Sequence, residues 1–141
     1  MKNVKNWVMA APDEFLYEYA VVRYVPRVDR EEFVNIGLIM LCKRRRWLKG
    51  KILLNPGRLQ AFDPAVNLEF LGSQATLFTR GDVPSPELPV EERYRWLAAV
   101  KSAVLQVSPS HPGFIPAAQG AGDPSAVLEA EFDRLFGQLV S

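Results

Sequence analysis

Two segments near the start of the chain are apolar on both sides, and strands of that kind belong in the middle of a sheet covered on both faces. Tyr17-Glu18-Tyr19-Ala20-Val21-Val22-Arg23-Tyr24-Val25 is rich in aromatic and β-branched residues and is stopped by Pro26. One face carries Tyr17, Tyr19, Val21, Arg23 and Val25, the other Ala20, Val22 and Tyr24. Phe33 to Cys42 is almost continuously apolar, short for a helix, and contains Gly37, so it reads as a second buried strand. Lys43 to Arg46 forms a turn. Leu48 to Leu54 then alternates as a half-exposed third strand, with Lys49 and Lys51 opposite Leu48, Gly50 and Ile52, and Asn55-Pro56-Gly57 ends it. The short connections predict an antiparallel meander.

Helical signals follow. Asp63-Pro64 offers a capping aspartate and a first-turn proline, with Val66, Phe70, Leu77 and Phe78 as an apolar stripe and Gly81 as a stop. Val83 to Pro89 holds three prolines and reads as a surface connection, and Val90 to Lys101 reads as a helix. Ala103 to Val107 is expected as a short fourth strand. Ser108-Pro109-Ser110-His111-Pro112-Gly113 is expected to be irregular, because two prolines and a glycine interrupt it. Ala117 to Gly122 reads as a flexible link. Asp123-Pro124 repeats the start signal ahead of Leu128, Phe132, Leu135, Phe136 and Leu139, one apolar face of a helix.

These segments predict an α+β fold. A small, mainly antiparallel sheet of three to four strands packs with about three helices in a single domain over residues 15–141, after a flexible leader over 1–14. The helices can cover one sheet face. The other face needs the loop bearing His111, the leader or a partner.

Composition excludes several classes. One cysteine, Cys42, precludes an internal disulfide, and with one histidine, His111, there is no multi-cysteine or multi-histidine metal site. No metal and no cofactor is expected. No apolar run reaches the ~20 residues of a membrane span, and the lysines and tryptophan near the N-terminus make a poor signal peptide. A cytoplasmic location without membrane association is expected.

Charge is unevenly placed. Lys43, Arg44, Arg45, Arg46, Lys49, Lys51 and Arg58 lie in one stretch without an acid, leaving ten basic residues against sixteen acids elsewhere. With Trp47 inside it, the stretch 43–51 has the makings of a nucleic-acid surface: basic residues for a backbone and an aromatic for stacking. The sequence pI of about 7.9 is low for a dedicated nucleic-acid binder. A solvated hairpin tip is the plainer reading.

The ordered segments Tyr19–Pro26, Glu32–Gly37, Arg95-Trp96-Leu97 and Gln106–Gly113, with the acidic amphipathic C-terminal helix, resemble a bacterial family catalogued as a domain of unknown function, number 3037. The resemblance covers Tyr17 to Val140. Members of that family often show Pro-Arg-Ser before the final strand, where this chain has Val100-Lys101-Ser102, and tend to have Thr and Leu near the positions of Pro112 and Phe114. If the segment grips an anion through Lys101 and Ser102, lysine replaces a two-pronged fork by a point charge. The resemblance implies no activity. It implies a context, since members are often encoded beside a kinase resembling the persistence toxin HipA, and hence a protein partner.

Several residues are candidates for chemistry. His111 carries the one imidazole, the side chain that titrates near neutrality, and sits between prolines in a loop. It can equally pack or cap a turn. Ser108 and Ser110 lie beside it, but no Gly-x-Ser-x-Gly elbow or phosphate loop accompanies them. Arg23 is a cation on an otherwise apolar strand face. It reads as an anion-binding arginine, acting with Lys101 and His111, or as half of an ion pair with Glu32, Asp29 or a helix carboxylate. Asn35 and Gly37, two apart, are expected to share a strand face, where glycine leaves room for a ligand or another backbone and Asn35 can satisfy a turn. Cys42 reads as a buried small hydrophobe. The parts of a catalytic set are missing, so a protein-interaction module is the leading expectation. A nucleic-acid binder and a small anion-binding or hydrolytic site around His111 are the alternatives.

Overall fold

The computed structural model describes residues 15–116 and 122–141. Five strands are present: β1 Leu16–Tyr24, β2 Val34–Cys42, β3 Trp47–Ile52, β4 Leu105–Val107 and β5 His111–Phe114. Among the described residues four α-helices join them: α1 Pro56–Phe62, α2 Leu68–Ala75, α3 Val90–Ala98 and α4 Pro124–Leu139. The fold is α+β, with one strand and one helix more than the upper sequence expectation. The leader and nearly all of the link lie outside the described residues.

The meander is present as β3-β2-β1, entirely antiparallel. β1 is the hub, because its other edge is shared by two short strands. β4 pairs with Val22–Tyr24 and β5 with Leu16–Tyr19. The segment expected to be irregular therefore contains a strand. Ile115 donates to the Phe15 carbonyl, so the odd positions of β5 carry the ladder and the Pro112 nitrogen faces away from β1. A proline is tolerated at such an edge position, where it also removes one donor from the open side.

Both sheet faces are covered. On one, Ala20, Val22, Tyr24, Ile39 and Leu41 pack with Leu59, Leu71, Phe78, Tyr94 and Leu97, drawn from α1–α3 and the 3₁₀ turn Thr76–Thr79. On the other, Tyr17, Val21, Leu38, Met40 and Cys42 pack with Leu128, Phe132, Leu135 and Phe136 of α4. The second cover is thus the C-terminal helix rather than the His111 segment. Asp123 caps α4 as expected, accepting from the Ala126 amide at 3.0 Å. Lys49 is half-buried and Lys51 exposed. They lie along α4, their ammonium groups 4.8 Å and 4.6 Å from the ring centroids of Phe132 and Phe136.

Two local expectations are corrected. Asp63-Pro64 does not begin a helix. Asn55-Pro56 does, with the Asn55 side chain accepting from the Arg58 amide, and Asn67 caps α2 in the same way. Asp63 instead ends α1, and its carboxylate accepts from the Tyr24 hydroxyl at 2.5 Å. Asn35 and Gly37 also do not share a face. Val22 pairs with Gly37 but Arg23 pairs with Asn35, so Ile36 is the extra residue of a β-bulge. The bulge leaves Gly37 under α1–α3, where a Cβ would meet the Lys51 carbonyl at 2.8 Å, and turns Asn35 toward α4.

Candidate functional site

The bulge aligns a polar row on the α4 face of the sheet. Asn35 on β2 pairs with Arg23 on β1, Arg23 with Gln106 on β4, and Gln106 with Lys101 through an isolated bridge. Paired residues project to the same side, so four polar side chains stand in file beyond the end of α4. The Asn35 amide donates to the Leu139 carbonyl at 3.0 Å, and the Arg58 guanidinium donates to the Val140 carbonyl at 2.7 Å. The orphan carbonyls of the last turn of α4 are therefore capped by residues from a strand and another helix.

Among the described residues Arg23 forms no ion pair, neither with Asp29 or Glu32 nor with a helix carboxylate. Asp29 is held by Arg27 at 2.7 Å and Glu32 by Arg30 at 2.8 Å. The Arg23 guanidinium lies over the exposed ring of Phe33, 4.1 Å from its centroid. Its Nε–H is buried without a partner among the described residues, and so is Oδ1 of Asn35 beside it.

The serines and the histidine are arranged otherwise. Ser108 is buried, and its Oγ accepts from the Val21 amide and donates to the Pro109 carbonyl, both at 2.9 Å. The Ser110 hydroxyl meets Tyr94 Oη at 2.8 Å, and the Ser102 hydroxyl accepts from the Val104 and Leu105 amides. His111 is exposed and its ring lies tilted against that of Tyr19, its partner across the ladder, with centroids 5.4 Å apart. Four strand positions, about 13 Å of rise, separate that pair from Arg23. The structure thus brings together Arg23, Asn35 and Lys101 and leaves Ser102, Ser108, Ser110 and His111 in separate local roles.

The basic stretch is likewise divided. Trp47 packs edge-on against Phe132, Lys49 pairs with Glu129 at 2.5 Å, and Arg45 lies over Phe15. Lys43, Arg44 and Arg46 line an open hollow of about 880 Å³ with Pro89, Glu91 and Arg93 at the start of α3. Lys43 and Arg44 also border a hollow of about 440 Å³ on the other side of the turn, with Leu16, Leu41 and Pro112. Burial raises the Cys42 thiol pKa, as suits a packed hydrophobe. No group of three or more His, Cys, Asp or Glu residues suited to a metal occurs among the described residues, and no described helix is long and apolar enough to cross a membrane.

The chain matches the family model described as Protein of unknown function (DUF3037) over residues 19–140. It belongs to this family. No curated protein and no solved structure matches significantly. Within the DUF3037 chain, sequence reasoning missed Gln106 in the polar row, Phe33 under the Arg23 guanidinium, Leu16 at the smaller hollow and its cross-strand partner Phe114. Gln106 was legible as the one polar residue of its strand. Leu16 and Phe114 become visible only through the pairing of β1 with β5.

Proposed function

We propose that this chain is a non-enzymatic protein-interaction module that seats its partner on the uncovered end of the sheet. One observation carries the reading. Leu16 and Phe114 are registered opposite each other across β1 and β5, 47% and 43% exposed, and Leu16 lines a hollow with Leu41 and Pro112. Paired exposed apolar side chains at a concavity are what a docking surface offers. Lys43 and Arg44 stand at its rim against Glu18, so the matching surface is apolar at its centre and acidic at its margin. The engagement of Ser108 with the backbone on both sides supports the non-enzymatic part. The family context makes a HipA-like kinase, in the same cytoplasm, the first partner to test.

Co-expression with such a kinase carrying an affinity tag tests this. Wild-type chain is retained, Leu16→Glu/Phe114→Glu is lost, and Trp96→Ala, which alters another exposed aromatic on α3, is retained. Capture that survives the double change, or no complex with the kinase, removes the proposal in this form.

A second reading, binding of nucleic acid, rests on the larger hollow with its basic residues Lys43, Arg44, Arg46 and Arg93 against Glu91. It requires affinity that falls steeply with salt and is lost in Lys43→Ser/Arg46→Ser. Binding indifferent to salt counts against it.

A further inference from the structure

The row Asn35–Arg23–Gln106–Lys101 contains two groups without partners among the described residues. The Arg23 Nε–H is a buried donor and the Asn35 Oδ1 a buried acceptor, on residues paired across β1 and β2. Neither can turn away cheaply. Asn35 is oriented by the Leu139 carbonyl, which requires the NH₂ side of the amide. Arg23 is held over the Phe33 ring. Buried polar groups are costly unless hydrogen-bonded, and a cation more so. The carboxylates close by in sequence are taken by Arg27 and Arg30, so among the described residues the two groups have no partner, and an external ligand can supply one.

Its chemistry follows from what the row lacks. Arg23 asks for an oxygen acceptor, and a second cation, Lys101, ends the same row, so the group is anionic. Asn35 Oδ1 asks for a donor in the same place. A bare carboxylate answers Arg23 and leaves Asn35 unmet, whereas a neutral amide answers both hydrogen bonds and leaves the charge unmatched. A carboxylate with an N–H on the adjacent carbon answers all three, and its flat pair of oxygens suits the guanidinium fork. We propose that this row binds a terminal carboxylate together with the N–H of the same residue, the chemistry shared by the C-terminal residue of a peptide and a free N-acyl amino acid. The carboxylate lies between Arg23 and Lys101, with the N–H donated to Asn35 Oδ1. The site is on the α4 face of the sheet, opposite Leu16 and Phe114, and each surface can fail without the other.

Arginine Nε–Hε resonances in ¹H–¹⁵N spectra of the whole chain, with Arg23 assigned from Arg23→Lys, read the site directly. Added N-acetylalanine shifts the Arg23 resonance saturably. Acetate, which lacks the N–H, binds about tenfold more weakly. N-acetylalanine N-methylamide, and sodium chloride at equal ionic strength, leave the resonance where it was. Lys101→Ala, at an exposed position that the fold does not need, weakens N-acetylalanine several-fold while the backbone spectrum is kept. Arg23→Lys, followed through Asn35, weakens it by about tenfold or more through loss of the fork. A short peptide ending in alanine separates the sources: tighter binding than N-acetylalanine makes a protein terminus the ligand, and equal binding makes it the free acid. No shift, a shift that chloride reproduces, or equal binding of the methylamide overturns the proposal. An unmoved resonance is also the result if a single bridging water satisfies both groups.

Discussion

The Asn35 side chain donates to the Leu139 carbonyl across 104 residues of sequence, at 3.0 Å. With Arg58 on Val140, this contact fastens the last turn of α4 to the sheet. Replacing Asn35 by Ala removes a partly buried hydrogen bond and should cost about 1–2 kcal/mol, while Arg58→Ala, at a more exposed site, should cost under about 1 kcal/mol. Urea midpoints give both values. Hydrogen exchange places the effect: the amides of Val140 and Ser141, which donate to Phe136, exchange faster in Asn35→Ala while those of β1 and β2 follow only the global change.

Ser108 is the buried polar residue that joins the β4–β5 connection to β1. Its loss in Ser108→Ala leaves the Val21 amide without an acceptor at that position, at a cost of about 1–3 kcal/mol. Chemical denaturation measures it. Partner capture at a temperature where the variant is folded should be unchanged, which separates a structural serine from a reactive one.

Three phenols resist ionisation. Burial, then the hydrogen bond to Asp63, pushes Tyr24 up to about 12, and burial chiefly does the same for Tyr94. Burial and the hydrogen bond to Glu131 raise Tyr17 further. A pKa raised in the folded state contributes stability below the ordinary value of 10, and that contribution is lost as pH rises from there through the folded value. Absorbance at the phenolate band should show these three tyrosines neutral at about pH 11 in the native protein and ionised once urea unfolds it. Stability should fall steadily above about pH 10.

The central strands were readable because apolarity on both sides leaves β1 and β2 few other places to go, and α4 because its start signal and its apolar stripe agree. The helix after β3 was misplaced for a definite reason. Asn55-Pro56 and Asp63-Pro64 are equivalent local signals, and the choice between them is made by Tyr24, whose hydroxyl claims Asp63. β5 was missed because prolines argue against strands unless one knows which edge they face. The candidate site divides in the same way. Arg23 stood out as a cation on an apolar face, but its alignment with Asn35 depends on the Ile36 bulge, which no propensity announces, and its alignment with Lys101 on the pairing of both with Gln106.

The Pro112 nitrogen at the open side of β5 has a consequence for the molecule in a crowded solution. A strand arriving from a neighbouring copy would meet a ladder with one rung absent, on a strand only four residues long. At the opposite border, Gly50 of β3 lies so close under the carbonyl of Phe78 that a methyl group there would have no room, and the 3₁₀ turn shelters that margin. Among the described residues, growth by adding sheet to sheet is therefore discouraged at both of these edges.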